Sequence, residues 1–259
     1  MPKELQIASY NLNGLRSAIT KGLIQWIEDT KYDIYLFQEI KADYDSIPYF
    51  WFDEIGYKHV WFPAEKKGYS GVAALIKDDY SVAIKGMGIE RYDYEGRVLY
   101  FDIGDFTIIN TYFPSGSSGE ERQKVKMEFL SDYIPFIQKI LQQKKKVVIA
   151  GDFNICHRAI DIHDPIGNKN SSGFLPEERA WMDEFMNMGL IDSFRQLHPE
   201  EKNHYSWWSY RAGARGKNKG WRIDYIMHSA DLTAQLSDAR ILPDVIHSDH
   251  CPIVATFIV

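Results

Sequence analysis

The stretch Lys146-Val-Val-Ile-Ala-Gly-Asp-Phe-Asn154 constrains this chain more than any other. Val147 to Ala150 form a short unbroken apolar run, the mark of a strand covered on both faces. Gly151 ends the run, and Asp152 and Asn154 follow at once. The chain thus passes from core to surface within a few residues. In α/β architectures the ends of strands are where ligands sit. A spacing of two also sets both side chains on one side while the backbone stays extended. Gly-Asp and Asn are ordinary turn residues too, so this stretch alone leaves a plain turn as the alternative. Other apolar runs closing on polar groups in the same manner weigh against it.

Those runs order the rest of the chain. Residues 4–10 alternate as a first strand and end at Tyr10-Asn11-Leu12-Asn13-Gly14. Leu15, Ala18, Ile19, Leu23, Trp26 and Ile27 recur at three- and four-residue spacing, one apolar helical stripe. Residues 33–37 form a second strand closing on Gln38-Glu39, and a short aromatic helix is expected over 47–55. Further strands are expected at 57–62, 71–76, 81–86, 97–103 and 106–113. The longest helical pattern covers 120–143, with Pro135 inside it to kink or split it. A polar loop follows at 157–175, long enough to imply a task. Pro176 then opens a helix at its first turn. Strands are expected at 204–210, 221–228, 236–242 and 252–258. Helix–strand alternation mixed with hairpin-like runs implies two packed sheets with helices outside, in a single α/β sandwich domain spanning 1–259.

Composition narrows the class. With 259 residues, 45% hydrophobic and 25% charged, the chain has the make-up of an ordinary globular protein with a sizeable core. No apolar run approaches the roughly 18 residues of a membrane span, so no membrane partner is expected. The N-terminus carries no charged-then-apolar leader. Cys156 and Cys251 lack the neighbours of a zinc site or a disulfide framework and read as small buried residues. A reducing compartment follows, and the cytoplasm, with access to the chromosome, is the expected location. The net charge of −6 argues mildly against a sequence-independent DNA coat. Residues 203–223 nevertheless hold no acid, while Arg211, Arg215, Lys217, Lys219 and Arg222 alternate with Trp207, Trp208, Tyr210 and Trp221. Basic groups there can meet phosphates while the aromatics stack or wedge; a solvated loop beside a core tryptophan is the alternative.

The polar groups at the run ends are Asn11, Glu39, Tyr112, Asp152 with Asn154, Asp224, and Asp249 with His250. Oxygen donors plus one imidazole suit a hard cation rather than zinc. Magnesium favours one or two carboxylates with waters and a substrate phosphate. Glu39 is the first ligand candidate and Asp249 the second; Asp152, Asn154, His250 and Asn11 complete the candidate metal cluster. The same groups suit phosphodiester hydrolysis, which needs an activated water, a stabiliser for phosphate oxygens and help for the leaving oxygen. Asp152 is placed to orient or deprotonate the water, and Asn154 to hold it or to donate to a phosphate oxygen. His250, paired to Asp224, is expected to be charged and to clamp phosphate. Tyr112 is expected to donate its phenol to the phosphate or the departing oxygen.

Taken in order, Asn-Leu-Asn-Gly-Leu-Arg, Gln-Glu, Tyr-Phe-Pro, Gly-Asp-Phe-Asn, Gly-Trp-Arg-Ile-Asp-Tyr and Ser-Asp-His-Cys-Pro resemble the exonuclease III and apurinic/apyrimidinic endonuclease family, from the first strand to the last. Lys67-Gly-Tyr-Ser-Gly-Val-Ala73, Gly173-Phe-Leu-Pro-Glu-Glu-Arg179 and Gly220-Trp-Arg-Ile-Asp-Tyr225 resemble its DNA-repair branch. The resemblance implies a DNase I-like four-layered α/β sandwich, with two packed mixed β-sheets flanked by helices. It implies a magnesium-dependent nuclease, with manganese as substitute, acting as a monomer. The substrate implied is double-stranded DNA with abasic sites or blocked 3′ ends. Incision falls 5′ to the abasic site and leaves a 3′-hydroxyl, with 3′-phosphodiesterase and 3′–5′ exonuclease activity beside it. Asn11 and Glu39 match metal-side residues, and Asp249 a ligand or its outer partner. Tyr112, Asp152, Asn154, Asp224 and His250 match catalytic positions. Trp207 and Trp221 match the wall around an extruded abasic sugar, and Asn168 a DNA-backbone contact. Arg211 and Arg222 complete the expected DNA face. The loop Pro114-Ser-Gly-Ser-Ser118 lacks the arginine that some relatives insert into DNA. Alternatives are a predominantly 3′–5′ exonuclease, a phosphatase of inositol phosphates or sphingolipid head groups, and a relative that binds nucleic acid without cutting it.

Overall fold

In the computed structural model, which describes residues 3–259, the early apolar runs pair into one sheet. Its strands are β1 (Glu4–Asn11), β2 (Ile34–Gln38), β3 (Lys58–Phe62) and β4 (Val72–Ile76). Helices α1 (Leu15–Thr20), α2 (Leu23–Thr30) and α3 (Tyr49–Glu54) lie between them in sequence. The middle of the chain builds a second sheet from β5 (Ile84–Lys85), β6 (Val98–Ile103), β7 (Phe106–Tyr112), β8 (Lys146–Asp152), β9 (Leu190–Asp192) and β10 (Asp224–Ser229). Between these fall α4 (Glu90–Asp93), α5 (Glu120–Gln143), α6 (Pro176–Met186) and α7 (Ser193–Leu197). The chain then returns to the first sheet through β11 (Leu236–Ile241) and β12 (Ile253–Ile258).

The strand orders are β11-β12-β1-β2-β4-β3 and β5-β6-β7-β8-β10-β9. Each sheet has one parallel pair at its centre, β1 with β2 and β7 with β8, and antiparallel neighbours on both sides. Strand alternation builds the layers. Leu5, Ile7, Ile34 and Leu36 face Ile108, Val148 and Ala150 across the gap between the sheets. Tyr35, Phe37 and Tyr10 pack outward under α1 and α2, and Val147 and Ile149 pack outward under α5 and α6. The result is the expected four-layered sandwich of two mixed sheets with helices outside. Among the described residues no helix is long and apolar enough to cross a membrane. Cys156 and Cys251 are both buried and free.

Several local expectations are corrected. The single stripe over 15–27 is two helices, because Lys21-Gly22 turns the chain with Gly22 at φ 100°. Leu15, Ala18, Leu23 and Ile27 still bury one face, so the spacing survives the break. Pro135 does not split α5, which runs through it. Pro135 and Ser131 are exposed, so the carbonyl that loses its amide partner meets water. Residues 204–210 are not a strand. Trp207 makes isolated bridges to Trp221 and His250, while the Ser206 hydroxyl takes the amides of Ile223 and Asp224 that a ladder would use. The strand expected at 81–86 shrinks to Ile84–Lys85.

Candidate active site

Strand ends from both sheets meet at one end of the sandwich. β1, β2, β7 and β8 run toward it and finish at Asn11, Gln38, Tyr112 and Asp152. β10 starts there, so Asp224 pairs with Asp152. β12 also starts there, with Asp249 and His250 just ahead of it. Gly151 is required by a close approach: a Cβ there would stand 1.8 Å from the Thr111 carbonyl oxygen. These ends surround a cavity of about 490 Å³ lined by Glu39, Tyr112, Asp152, Asn154, Asp249 and His250, with Trp207 and Trp221 as a wall. The two indoles meet edge to face, centroids 6.1 Å apart and planes at 89°.

Asp152 is 2% exposed. Its Oδ1 accepts the Asn154 amide at 2.8 Å, and its Oδ2 accepts Asn11 Nδ2 at 2.9 Å. Burial and then the Asp224 charge push its carboxyl up to about 7, against the pull of His250. His250 Nδ1 lies 2.9 Å from Asp224 Oδ2. Burial drives the imidazole down, but Asp224, with Asp152 and Asp249 behind it, prevails and raises it to about 10. The balance favours the charged form of His250. Its Nε2 lies 3.8 Å from Asp152 Oδ2, too far for a direct hydrogen bond. Tyr112 is buried, and burial followed by the Glu39 charge holds its phenol well above the usual value. It stays protonated and able to donate.

The remaining expected residues are placed unevenly. Asn154 Nδ2 donates to the Phe113 carbonyl at 3.0 Å and to Asp152 Oδ2 at 3.2 Å. Both amide hydrogens are spent, which corrects the expectation that Asn154 donates to phosphate; its Oδ1 remains the group able to hold a water. Asn11 spends Nδ2 on Asp152, and its Oδ1 accepts the Asn13 amide at 2.9 Å, so it orients the carboxylate. Asp249 Oδ1 accepts from Asn13 at 2.9 Å and Ser248 at 3.1 Å, and Oδ2 from Trp207 Nε1 at 3.0 Å. Arg222 is corrected outright as a DNA contact. It is 1% exposed and paired to Asp161 at 2.7 Å and Asp192 at 2.7 Å. A buried guanidinium needs such partners. Arg211 is exposed. Asn168 spends its amide on the carbonyls of His163 and Asp164 in its own loop.

Other groups belong to the site and were not singled out from sequence. Asn13 and Lys41 line the cavity, and Lys41 Nζ bonds Asn13 Oδ1 and sits 2.9 Å from Glu39 Oε1. The Asn11–Asn13 spacing of two repeats that of Asp152–Asn154 and was the available signal. Arg97 is buried, donates to the Tyr112 carbonyl at 3.0 Å, and lies 5.0 Å from the Tyr112 ring centre. Arg215, named above among the basic groups able to meet phosphates, is corrected: its guanidinium reaches inward to the carbonyls of Ser248 at 2.8 Å and Val245 at 2.7 Å and clasps the loop that presents His250. Lys126 and Glu178 form a fully buried pair behind Asn154. Asn13, Glu39, Lys41 and Asn154 all adopt left-handed backbone, φ 46°, 52°, 49° and 53°. Such strain costs about 1–3 kcal/mol each and collects at functional sites.

The donors fit a hard cation. Glu39, Asn13 and Asp249 offer oxygens, and a positive group, the Lys41 ammonium, already sits against Glu39 and Asn13. Asp152, Asp224 and His250 also bring donor atoms within 4.8 Å of one another. In that trio the imidazole Nδ1 is committed to Asp224, whereas the Glu39 carboxylate lines the open cavity.

Carboxylates, an amide, a phenol and an imidazole around one cavity suit the hydrolysis of phosphate esters. The sequence model of the endonuclease/exonuclease/phosphatase family matches residues 8–250, and the chain belongs to that family. It is 38% identical to an exodeoxyribonuclease of Bacillus subtilis over 96% of this chain and 98% of that protein. Its structure is similar to an AP endonuclease from Archaeoglobus fulgidus, with TM-score 0.91 and 31% identity over 98% of this chain and 100% of that one. It is also similar to the 3′ phosphatase NExo from Neisseria bound to a product DNA hairpin, with TM-score 0.92 and 28% identity over 98% and 99% of the chains.

Proposed function

We propose that this protein is a magnesium-dependent DNA-repair phosphodiesterase that incises duplex DNA 5′ to abasic sites and also trims blocked 3′ ends. The observation that carries the reading is the Trp207–Trp221 wall beside Asp152 and His250. An aromatic wall next to groups suited to phosphate chemistry fits an extruded sugar without a base. The AP endonuclease and the exodeoxyribonuclease among the similar proteins support the substrate class. Asp152, with its carboxyl poised near neutrality, orients and deprotonates the attacking water, which Asn154 Oδ1 helps to hold. The His250 imidazolium, fixed by Asp224, donates from Nε2 to a phosphate oxygen. Tyr112 donates its phenol to the phosphate or to the departing oxygen. Glu39, with Asp249 behind it, would hold magnesium, which when bound neutralises charge on the phosphate and the leaving oxygen. Arg211 and Asn168 flank the duplex.

A duplex carrying one abasic analogue, incubated with magnesium or with chelator, tests this. Magnesium-dependent incision 5′ to the lesion, leaving a 3′-hydroxyl, is expected. Equal rates on an undamaged 3′ end would replace the reading with a predominantly exonucleolytic one. Tight binding without incision would leave a nucleic-acid-binding relative.

A further inference from the structure

Helices α5 and α6 meet behind the cavity through a buried ion pair. Lys126 and Glu178 side chains are both 0% exposed, with Nζ 2.6 Å from Oε1. Lys126 Nζ also donates to the Asn154 backbone carbonyl at 2.8 Å. Glu178 Oε2 accepts the amides of Gly173 at 2.6 Å and Leu175 at 3.0 Å. Its Oε1 accepts Gln123 Nε2 at 3.0 Å as well, so the carboxylate is satisfied on both oxygens. Gln123 Oε1 in turn accepts the Ser172 hydroxyl at 2.7 Å.

Two ions taken wholly out of water cost several kcal/mol each, and their mutual attraction repays this only when further hydrogen bonds are made. Here those bonds run to the backbone of Asn154, Gly173 and Leu175, so what the pair does is hold these groups. Beside the hydrogen bond from the Cys156 amide to the Gly173 carbonyl at 2.7 Å, it provides a second link between two adjacent backbone groups of the cavity wall. One is the carbonyl of Asn154, whose left-handed turn aims its side chain at Asp152. The other is the amide of Gly173, at the corner that packs on Trp221. A Cβ at Gly173 would stand 3.0 Å from the Asn154 carbonyl oxygen and 3.1 Å from the Trp221 ring, so no slack exists between them.

We propose that Lys126 and Glu178 are positioning residues. They lock the Asn154 turn to the Gly173 corner, and so fix the spacing between the group beside the scissile phosphate and the wall against the abasic sugar. This rests on the abasic-site reading above. Neither side chain touches substrate. Breaking the link should therefore slow turnover while leaving binding intact, since a displacement near 1 Å costs up to about 10²-fold in rate.

Steady-state kinetics and DNA affinity are measured for Lys126→Met, Glu178→Gln and the double variant Lys126→Met/Glu178→Leu. Two substrates are used, the abasic duplex and a nicked duplex ending in a 3′-phosphate. Amide exchange at Gly173 is followed in parallel. The expected result is a kcat lower by about 10- to 100-fold, KM and affinity nearly unchanged, and faster Gly173 exchange. The apolar double variant should fold yet stay slow. A folded double variant with wild-type kcat would overturn the proposal and reduce the pair to packing. Should the buried variants not fold, Gln123→Ala removes one of the hydrogen bonds to Glu178 from a half-buried position. A smaller loss in kcat at constant KM is then expected, and unchanged kcat with unchanged Gly173 exchange overturns the proposal. If the wild-type protein trims the 3′-phosphate but spares the abasic duplex, the functional reading fails, and the link is judged on the 3′-phosphate substrate alone.

Discussion

Asp152 and His250 are neighbours whose proton affinities are set by burial and then by a shared third residue. Asp224 repels charge on Asp152 and attracts it on His250, so it raises both. Consequences for stability follow by linkage. Asp152 rises from 3.8 to about 7 on folding, so its contribution is full below the lower value and is lost as pH rises through 7. His250 rises from 6.5 to about 10, so its contribution is full below 6.5 and is lost through 10. Without metal, the fold should weaken with rising pH on both accounts. For activity, Asp152 must lose its proton and His250 must keep its own, which gives a bell-shaped profile. Asp224→Asn should move both limbs to lower pH, read as kcat/KM against pH at saturating magnesium. Limbs that stay in place would remove Asp224 from control of the pair. At this scale the ordered acids, amides and imidazole were legible, because each follows an apolar run. Arg222 was not, since its partners Asp161 and Asp192 are distant in sequence and it lies within the run of basic and aromatic residues. Lys126 was legible in retrospect: it falls on the same helical stripe as Phe129, Leu130 and Tyr133.

Elements were legible wherever period and end signals agreed. The strands whose ends carry the site follow apolar runs that stop on polar groups, and their positions shifted by only a few residues in the structure. Signals failed where side chains replaced backbone pairing, as Ser206 does beside Trp207, or where a turn preserved the stripe across a break, as at Gly22. Helix α5 offers a clean test. Pro135 interrupts its hydrogen bonding at an exposed position, and proline in a helix interior costs about 3 kcal/mol relative to alanine. Pro135→Ala should raise the urea midpoint at unchanged slope, corresponding to about 1–3 kcal/mol of added stability. A lower midpoint would mean that a bend at Pro135 is needed to seat Tyr133 and Ile137.

At the scale of the molecule the two sheets are joined by more than apolar contact. Gln38 on β2 donates to Asn110 on β7 at 2.7 Å, and Asn110 donates back to the carbonyls of Phe37 at 3.0 Å and Ala73 at 2.8 Å. Asn11 to Asp152 is a second bond between the sheets, inside the site. Separating the sheets would strand buried polar groups and dismantle the site together, and we propose that the described residues unfold as one cooperative unit. Urea unfolding should then show a single transition, with tryptophan fluorescence, far-ultraviolet dichroism and nuclease activity lost together. Two resolved transitions would divide the chain. Within the first sheet, β12 lies between β11 and β1, pairing Glu4 with Ile258, and His250 enters just ahead of it. The loop that presents His250 is therefore anchored through β12 to the strand that carries Asn11, so residues far apart in sequence hold the two sides of the site together. Loosening that one strand pairing would disarm the site from a distance, with no residue of the cavity changed.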